Sequence, residues 1–179
     1  KSLTQRALIA AALASGDSTL VGPLASEDTS YTIGALRAMG IVIDDNNPER
    51  WTVQGSGGMI TAPTEEIFLG NNGTATRFLT SVAALARGRI HITGDARMAQ
   101  RPIAPLMEAL QGWGVRLQSD AANGCPPLTI DADGIDGGKT VLPEGKSSQY
   151  LSSLLLVAPY ARERAELEVL GEVLSRPYV

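Results

Sequence analysis

One recurring pattern limits what this chain can fold into. The run Ala7-Leu8-Ile9-Ala10-Ala11-Ala12-Leu13-Ala14-Ser15-Gly16, followed by Ser18 to Gly22, returns as Phe78-Leu79-Thr80-Ser81-Val82-Ala83-Ala84-Leu85-Ala86-Arg87-Gly88, followed by Ile90 to Gly94. The two copies stand about 72 residues apart. A looser third copy, Tyr150 to Ala161 and then Leu167 to Gly171, follows the second by about 77 residues. Each copy reads as a helix of small and apolar residues that ends near a glycine or a charged turn and gives way to a short alternating strand. Such a unit cannot bury its apolar face alone, so the copies must share one core.

Second helices are expected at Asp28 to Met39, closed by Gly40 ahead of Ile41-Val42-Ile43, and at Pro102 to Gln111, closed by Gly112 or Gly114 ahead of Val115-Arg116-Leu117. Pro102 suits the first position of its helix. Trp51-Thr52-Val53, Leu128-Thr129-Ile130 and Thr140-Val141-Leu142 read as further strands between Gly- and Pro-rich turns. The expected class is α/β (α+β): one domain over residues 1–179, with three repeats at about 1–70, 71–142 and 143–179. The third repeat lacks a second helix. The chain also opens without Met, directly at a capping-box pattern of Ser2 and Gln5. A piece of a longer protein is expected.

Composition removes several functions. A net charge of -4 argues against a general nucleic-acid binder, which needs a basic face to displace counterions. The apolar runs Ala7 to Ala14 and Leu154 to Ala158 fall well short of the roughly 18 residues that cross a bilayer. Cys125 and His91, one of each, have no neighbours at metal-ligand spacing. A reducing, cytoplasmic setting is expected, with no metal and no cofactor.

The residues ahead of the three first helices carry chemistry. Lys1-Ser2 with Arg6 precedes the first, Gly70-Asn71-Asn72-Gly73-Thr74 with Arg77 the second, and Lys146-Ser147-Ser148-Gln149 the third. Hydroxyls, glycines and cations at a helix start make an anion site. Arg97 and Arg101 add cations after a strand, where loops of α/β units bind ligands. Under pseudo-threefold symmetry these starts converge on one pocket for a phosphate or carboxylate ligand. Each feature alone is only a cap or a surface charge, and the combination points to a site. His91, between Ile90 and Ile92, is expected on the opposite face of its strand. Cys125, before Pro126-Pro127, has no base to activate it, and Trp51 and Trp113 read as packing.

In order along the chain, Lys1-Ser2-Leu-Thr-Gln-Arg6, Ser26-Glu-Asp28-Thr29, Leu69-Gly-Asn71-Asn-Gly73-Thr74-Ala-Thr-Arg77, Arg97-Met-Ala-Gln-Arg101-Pro102, Ser147-Ser-Gln149-Tyr-Leu and Ser175-Arg-Pro177-Tyr178 resemble the signatures of the 5-enolpyruvylshikimate-3-phosphate synthase family. The resemblance runs from the first residue to the last. It implies the enolpyruvyl transferase fold, with two domains of repeated βαβαββ-type units and substrates held between them; this chain would be most of the N-terminal one. It implies transfer of the enolpyruvyl group of phosphoenolpyruvate to the 5-hydroxyl of shikimate 3-phosphate, in aromatic amino acid biosynthesis, in an enzyme that glyphosate targets. By motif position, Ser147, Ser148 and Ser175 would hold the shikimate phosphate, Ser2 and Arg6 the carboxylate end, and Gln149 and Tyr178 the ring. Lys1 and Arg101, with the backbone at Asn71 and Gly73, would bind phosphoenolpyruvate and stabilise developing charge, Lys1 also carrying a proton. Arg77 would support the loop.

The sequence departs from the family pattern at Asn72, usually Ala, and at Phe78, often Pro, which bears on glyphosate sensitivity. Acid-base carboxylates that the family draws from its C-terminal domain are absent, so the chain reads as a binding half whose partner is that domain. Two other readings are a UDP-N-acetylglucosamine enolpyruvyl transferase and a non-catalytic anion-binding module. The first commonly carries a Cys before Arg-Pro, and Gly94 to Arg101 has none.

Overall fold

The computed structural model describes residues 2–143, 147–173, 177 and 179. Helix α1 (Ser2–Leu13) leads into strand β1 (Ser15–Val21), helix α2 (Glu27–Ala38), and strands β2 (Val42–Asn47) and β3 (Arg50–Ser56). A second unit runs β4 (Ile67–Phe68), α3 (Gly73–Ala83), β5 (Arg87–Thr93), α4 (Ala104–Gly112), β6 (Arg116–Ser119) and β7 (Leu128–Asp133). The third is β8 (Gly138–Leu142), α5 (Ser148–Val157) and β9 (Ala165–Val169). The middle unit shows the βαβαββ order in full.

Each unit has its own sheet. The first is ordered β1-β3-β2 and antiparallel, the second β4-β5-β7-β6 with β4 parallel to β5, and the third pairs β8 with β9 in parallel. Strand pairing therefore divides the chain ahead of Ile67 and ahead of Gly138, a few residues before the divisions read from the repeat. The reason is that β4 and β8 pair with the strands that follow their helices. The two-residue β4 exists through its neighbour, with Ile67 beside Ile92 and Phe68 beside Thr93.

Local chemistry sets most helix ends. Ser26 Oγ accepts the N–H of Thr29 at 3.3 Å while Thr29 Oγ1 accepts the N–H of Ser26 at 2.9 Å, a capping box that starts α2. Gly40, at φ 91°, takes the left-handed turn that follows the helix. Two expected starts are corrected. Helix α4 begins at Ala104 with Pro105 in its first turn, and Pro102 lies outside it, ahead of the N-cap Ile103. At α1 the Ser2 and Gln5 pair forms no capping box: Gln5 is buried and its amide turns inward to Asn72.

Helices α1, α3 and α5 pack together at the centre. Arg77 bonds to Gln149 and Ser81 to Ser153, each pair 72 residues apart. The helix of the third copy is thus offset by 72 residues from the second, while the larger spacing belongs to the strand. A 3-10 turn at Ala158–Tyr160 and the charged stretch Arg162-Glu163-Arg164 lengthen the connection from α5 to β9. Helix α3 is the most enclosed, with Gly73, Ala75, Thr76 and Phe78 to Ala83 all buried. Leu8, Leu13, Phe78, Leu79, Trp113 and Leu154 fill the surrounding core, each large apolar side chain contributing about 1.5–3 kcal/mol by its burial. Trp51 belongs to the same core, and Trp113 Nε1 donates to the Gly138 carbonyl at 3.0 Å, fixing β8 against α4. Among the described residues no helix is long and apolar enough to cross a membrane.

Candidate functional site

Helices α1, α3 and α5 meet near their N-terminal ends, where Gln5 bonds to Asn72, Gln149 to Thr74 and Arg6 to Ser152. Each offers backbone N–H groups without intrahelical acceptors, and with them a partial positive charge. Ser147 Oγ caps α5 by accepting the N–H of Gln149 at 3.3 Å, which leaves its own proton to donate outward. Asn72 caps α3, its Oδ1 accepting the N–H of Ala75 at 3.0 Å. Ser148 follows Ser147 and is buried at the first position of α5.

Arg6 ties α1 to the other two helices. Its Nη1 donates to Ser2 Oγ at 2.6 Å and to the Ser2 carbonyl at 3.4 Å, and its Nη2 donates to Ser152 Oγ of α5 at 3.4 Å. The guanidinium also lies 5.0 Å from the centre of the Phe78 ring of α3, within cation–π range. Ser2 and Arg6 are therefore one polar unit, braced from beneath by Phe78.

Between α3 and α5, Arg77 Nη1 donates to Gln149 Oε1 at 2.5 Å, and Gln149 Nε2 donates to Thr74 Oγ1 at 2.9 Å. The Arg77 guanidinium stacks 5.2 Å from the centre of the Tyr150 ring. Arg77 therefore orients Gln149 of α5, which in turn holds Thr74 at the head of α3. Tyr150 in turn donates its hydroxyl to the Pro102 carbonyl at 2.7 Å, so α5 also holds the segment that carries Arg101.

Arg101 reaches across to the turn ahead of α3. Its Nη1 donates to the Asn71 carbonyl at 3.0 Å and to Asn71 Oδ1 at 3.3 Å. Gly73 lets it lie there, since a Cβ at that position would sit 2.5 Å from Arg101 Cζ. Ser2, Arg6, Asn71, Gly73, Arg101, Ser147, Ser148 and Gln149 form one connected cluster at the ends of three helices. Lys1, Lys146, Ser175 and Tyr178 lie outside the described residues. Sequence reasoning missed Gln5 and Ser152 as members of the cluster, while Thr74 stood in the stretch it read ahead of α3. The repeat carried a signal for the first of these, since Gln5 occupies the position in α1 that Arg77 and Gln149 occupy in α3 and α5.

Features elsewhere differ in character. A hollow of about 640 Å³ between α1 and β1 is lined by Leu3, Ala7, Ala10, Leu20 and Val21 together with Thr4, Ser18 and Thr19, and among the described residues it offers an anion no cationic side chain. His91 lies on the outer face of the second sheet, its Nε2 2.5 Å from Asp120 Oδ2 and its Nδ1 3.4 Å from Glu66 Oε2. The hydrogen bond to Asp120, aided by the charges of both carboxylates and opposed by partial burial, raises its pKa above the usual histidine value. Sequence had offered it no partner, because Glu66 and Asp120 arrive from the residue just ahead of β4 and from the turn after β6. Cys125 is buried, its N–H donating to Asn123 Oδ1 at 2.9 Å.

The family model described as EPSP synthase (3-phosphoshikimate 1-carboxyvinyltransferase) matches residues 1–179. The 3-phosphoshikimate 1-carboxyvinyltransferase of Methanothermobacter thermautotrophicus is 45% identical over 179 residues, covering 100% of this chain and 42% of that protein. The enzyme of that name from Rhizobium etli is 44% identical over 173 residues, covering 96% of this chain and 40% of its own length. The chain thus spans less than half the length of these curated relatives. Among solved structures, EPSP synthase from Acinetobacter baumannii superposes with a TM-score of 0.86 at 28% identity, over 96% of this chain and 39% of that one. The enolpyruvyl transferase NikO from Streptomyces tendae shares the fold, with a TM-score of 0.61 at 18% identity over 93% of this chain and 38% of that one.

Proposed function

The chain belongs to the EPSP synthase family, and from that premise we propose that it forms the shikimate 3-phosphate-binding half of a 3-phosphoshikimate 1-carboxyvinyltransferase. The observation that carries the proposal is the meeting of three helix starts with Arg6 and Arg101, a concentration of donors suited to a ligand with several anionic groups. Ser147 and Ser148, with Ser175, hold the shikimate phosphate in this reading. Ser2 and Arg6 hold the carboxylate end, and Gln149, fixed by Arg77 and Thr74, orients the ring together with Tyr178. Arg101, Lys1 and the backbone at Asn71 and Gly73 take phosphoenolpyruvate.

The reaction needs little from these groups beyond placement and charge. The 5-hydroxyl oxygen bonds to C2 of phosphoenolpyruvate and loses its proton while the methylene carbon gains one, giving a tetrahedral adduct. Loss of a methyl proton and of the phosphate then leaves the enolpyruvyl ether. Arginines cannot serve as proton carriers at neutral pH, so Lys1 and the carboxylates of a second domain share the proton transfers. That second domain, shikimate 3-phosphate and phosphoenolpyruvate are the proposed partners, in a cytoplasmic setting consistent with the unpaired Cys125. Glyphosate is proposed to compete beside Gly73. Asn72 and Phe78 are both buried; Asn72 acts on that subsite through the turn, and Phe78 acts on the shikimate end through Arg6.

Phosphate release by the full-length parent tests the proposal. Turnover should require both phosphoenolpyruvate and shikimate 3-phosphate, and residues 1–179 alone should give none. Turnover with UDP-N-acetylglucosamine in place of shikimate 3-phosphate, or turnover by this chain alone, overturns it.

A further inference from the structure

We propose that Asn72, acting with Gln5, is a positioning residue for the phosphoenolpyruvate subsite. The inference rests on the reading of Asn71, Gly73 and Arg101 as that subsite. Neighbouring asparagines in the Gly70 to Gly73 turn point in opposite directions. Asn71 faces outward and supplies both acceptors that hold Arg101 Nη1, at 3.0 and 3.3 Å. Asn72 faces inward, with 3% of its surface exposed.

Three helices meet at the Asn72 amide. Its Oδ1 accepts from the Ala75 N–H of α3 at 3.0 Å and from Gln5 Nε2 of α1 at 3.3 Å, and its Nδ2 donates to the Asp28 carbonyl of α2 at 2.7 Å. Each bond fixes the sense of the next. Nδ2 must face the Asp28 carbonyl, which turns Oδ1 toward Ala75 and Gln5, so Gln5 must present its nitrogen. Gln5 Oε1 is then left buried and, among the described residues, without a hydrogen-bond partner, an arrangement that lowers stability. A Leu at position 5 would fill similar space without the orphaned oxygen. Stability alone gives no reason for the glutamine, whereas a fixed turn does: the turn that aims Arg101 is locked to α1 and α2 through one side chain. The same bond connects it to the helix turn that carries Ser2 and Arg6.

The test uses steady-state kinetics and thermal melting of the full-length parent. Asn72→Ala should raise the KM for phosphoenolpyruvate about tenfold and leave that for shikimate 3-phosphate within about twofold. Gln5→Leu should raise the phosphoenolpyruvate KM about threefold while the melting temperature holds or rises, since the orphaned oxygen is gone. A purely structural role predicts the reverse coupling, with KM worsening only when the protein loses stability. Asn72→Ser keeps an acceptor for the Ala75 N–H and should recover part of the loss. If Asn72→Ala does not fold, Gln5→Leu decides. Wild-type turnover with an unchanged phosphoenolpyruvate KM in Gln5→Leu, or with both KM values rising together, overturns this inference alone. A wild-type parent that releases no phosphate from the two substrates overturns the underlying functional reading and this inference with it.

Discussion

Replacing Gly73 by Ala should separate stability from site geometry. The new Cβ would lie 2.5 Å from Arg101 Cζ and 2.7 and 2.8 Å from its terminal nitrogens, so the guanidinium must swing away and release Asn71. The fold has little at stake. Gly73 opens α3 with no positive φ, and alanine is favoured over glycine in a helix by up to about 1 kcal/mol. Against this stand two exposed hydrogen bonds worth about 0.5–1.5 kcal/mol each. The net loss is at most about 2 kcal/mol, so the melting temperature of the 179-residue chain should fall by no more than about 8 °C. Binding is affected much more. An arginine displaced from a ligand anion forfeits a charge-assisted bond of about 1.5–3 kcal/mol. At 1.4 kcal/mol per decade, that is about a 10- to 100-fold rise in the phosphoenolpyruvate KM of the full-length parent. An unchanged KM, or a melting temperature that collapses, would refute the reasoning, because either result means that Arg101 does not rest against Gly73.

Two further outcomes follow from the geometry. The double change Ser147→Ala and Ser148→Ala in the full-length parent should weaken shikimate 3-phosphate by about 1–2 kcal/mol per lost bond and leave shikimate nearly unaffected in titration calorimetry; equal weakening of both would sink the phosphate assignment. Loss of the Ser147 cap should also cost about 1 kcal/mol of stability. For His91, the folded pKa is raised, so its contribution is complete below the unfolded value of about 6.5 and is lost as pH rises through the folded value. His91→Gln should accordingly lower the melting temperature more at about pH 5.5 than at about pH 8.5, and a deficit independent of pH would dismiss the ion pairs.

What the sequence disclosed followed from how local each feature is. Helix α2 was legible from its periodicity and from Gly40, which closes it in a left-handed turn, and Ser147 marks the start of α5 by a local bond. The three first helices were legible because a repeat copies their apolar pattern. Strand β4 was not: two residues in an otherwise irregular stretch become a strand only beside β5. Gln5 fitted a local cap in sequence and found a nonlocal partner in Asn72. Pro102 matched a helix start, yet Pro105 holds that place, since one-residue propensities cannot choose between nearby prolines. Most of the candidate site was visible as a list of residues, but the contacts of Arg77, Phe78 and Gln5 depend on which helix faces which.

The enclosure of α3 has a consequence in time. Backbone amides in a helix buried on nearly every side exchange with solvent only when the whole domain opens, whereas surface elements open in smaller, more frequent events. The turn that carries Asn71 and Gly73 is hydrogen-bonded directly to this slowest element, through Asn72 and the N–H of Ala75. Donors aimed at an anion are most effective when they do not relax between one ligand and the next. Suspended from α3, they keep their aim for as long as the molecule stays folded, so the lifetime of the site is the lifetime of the fold.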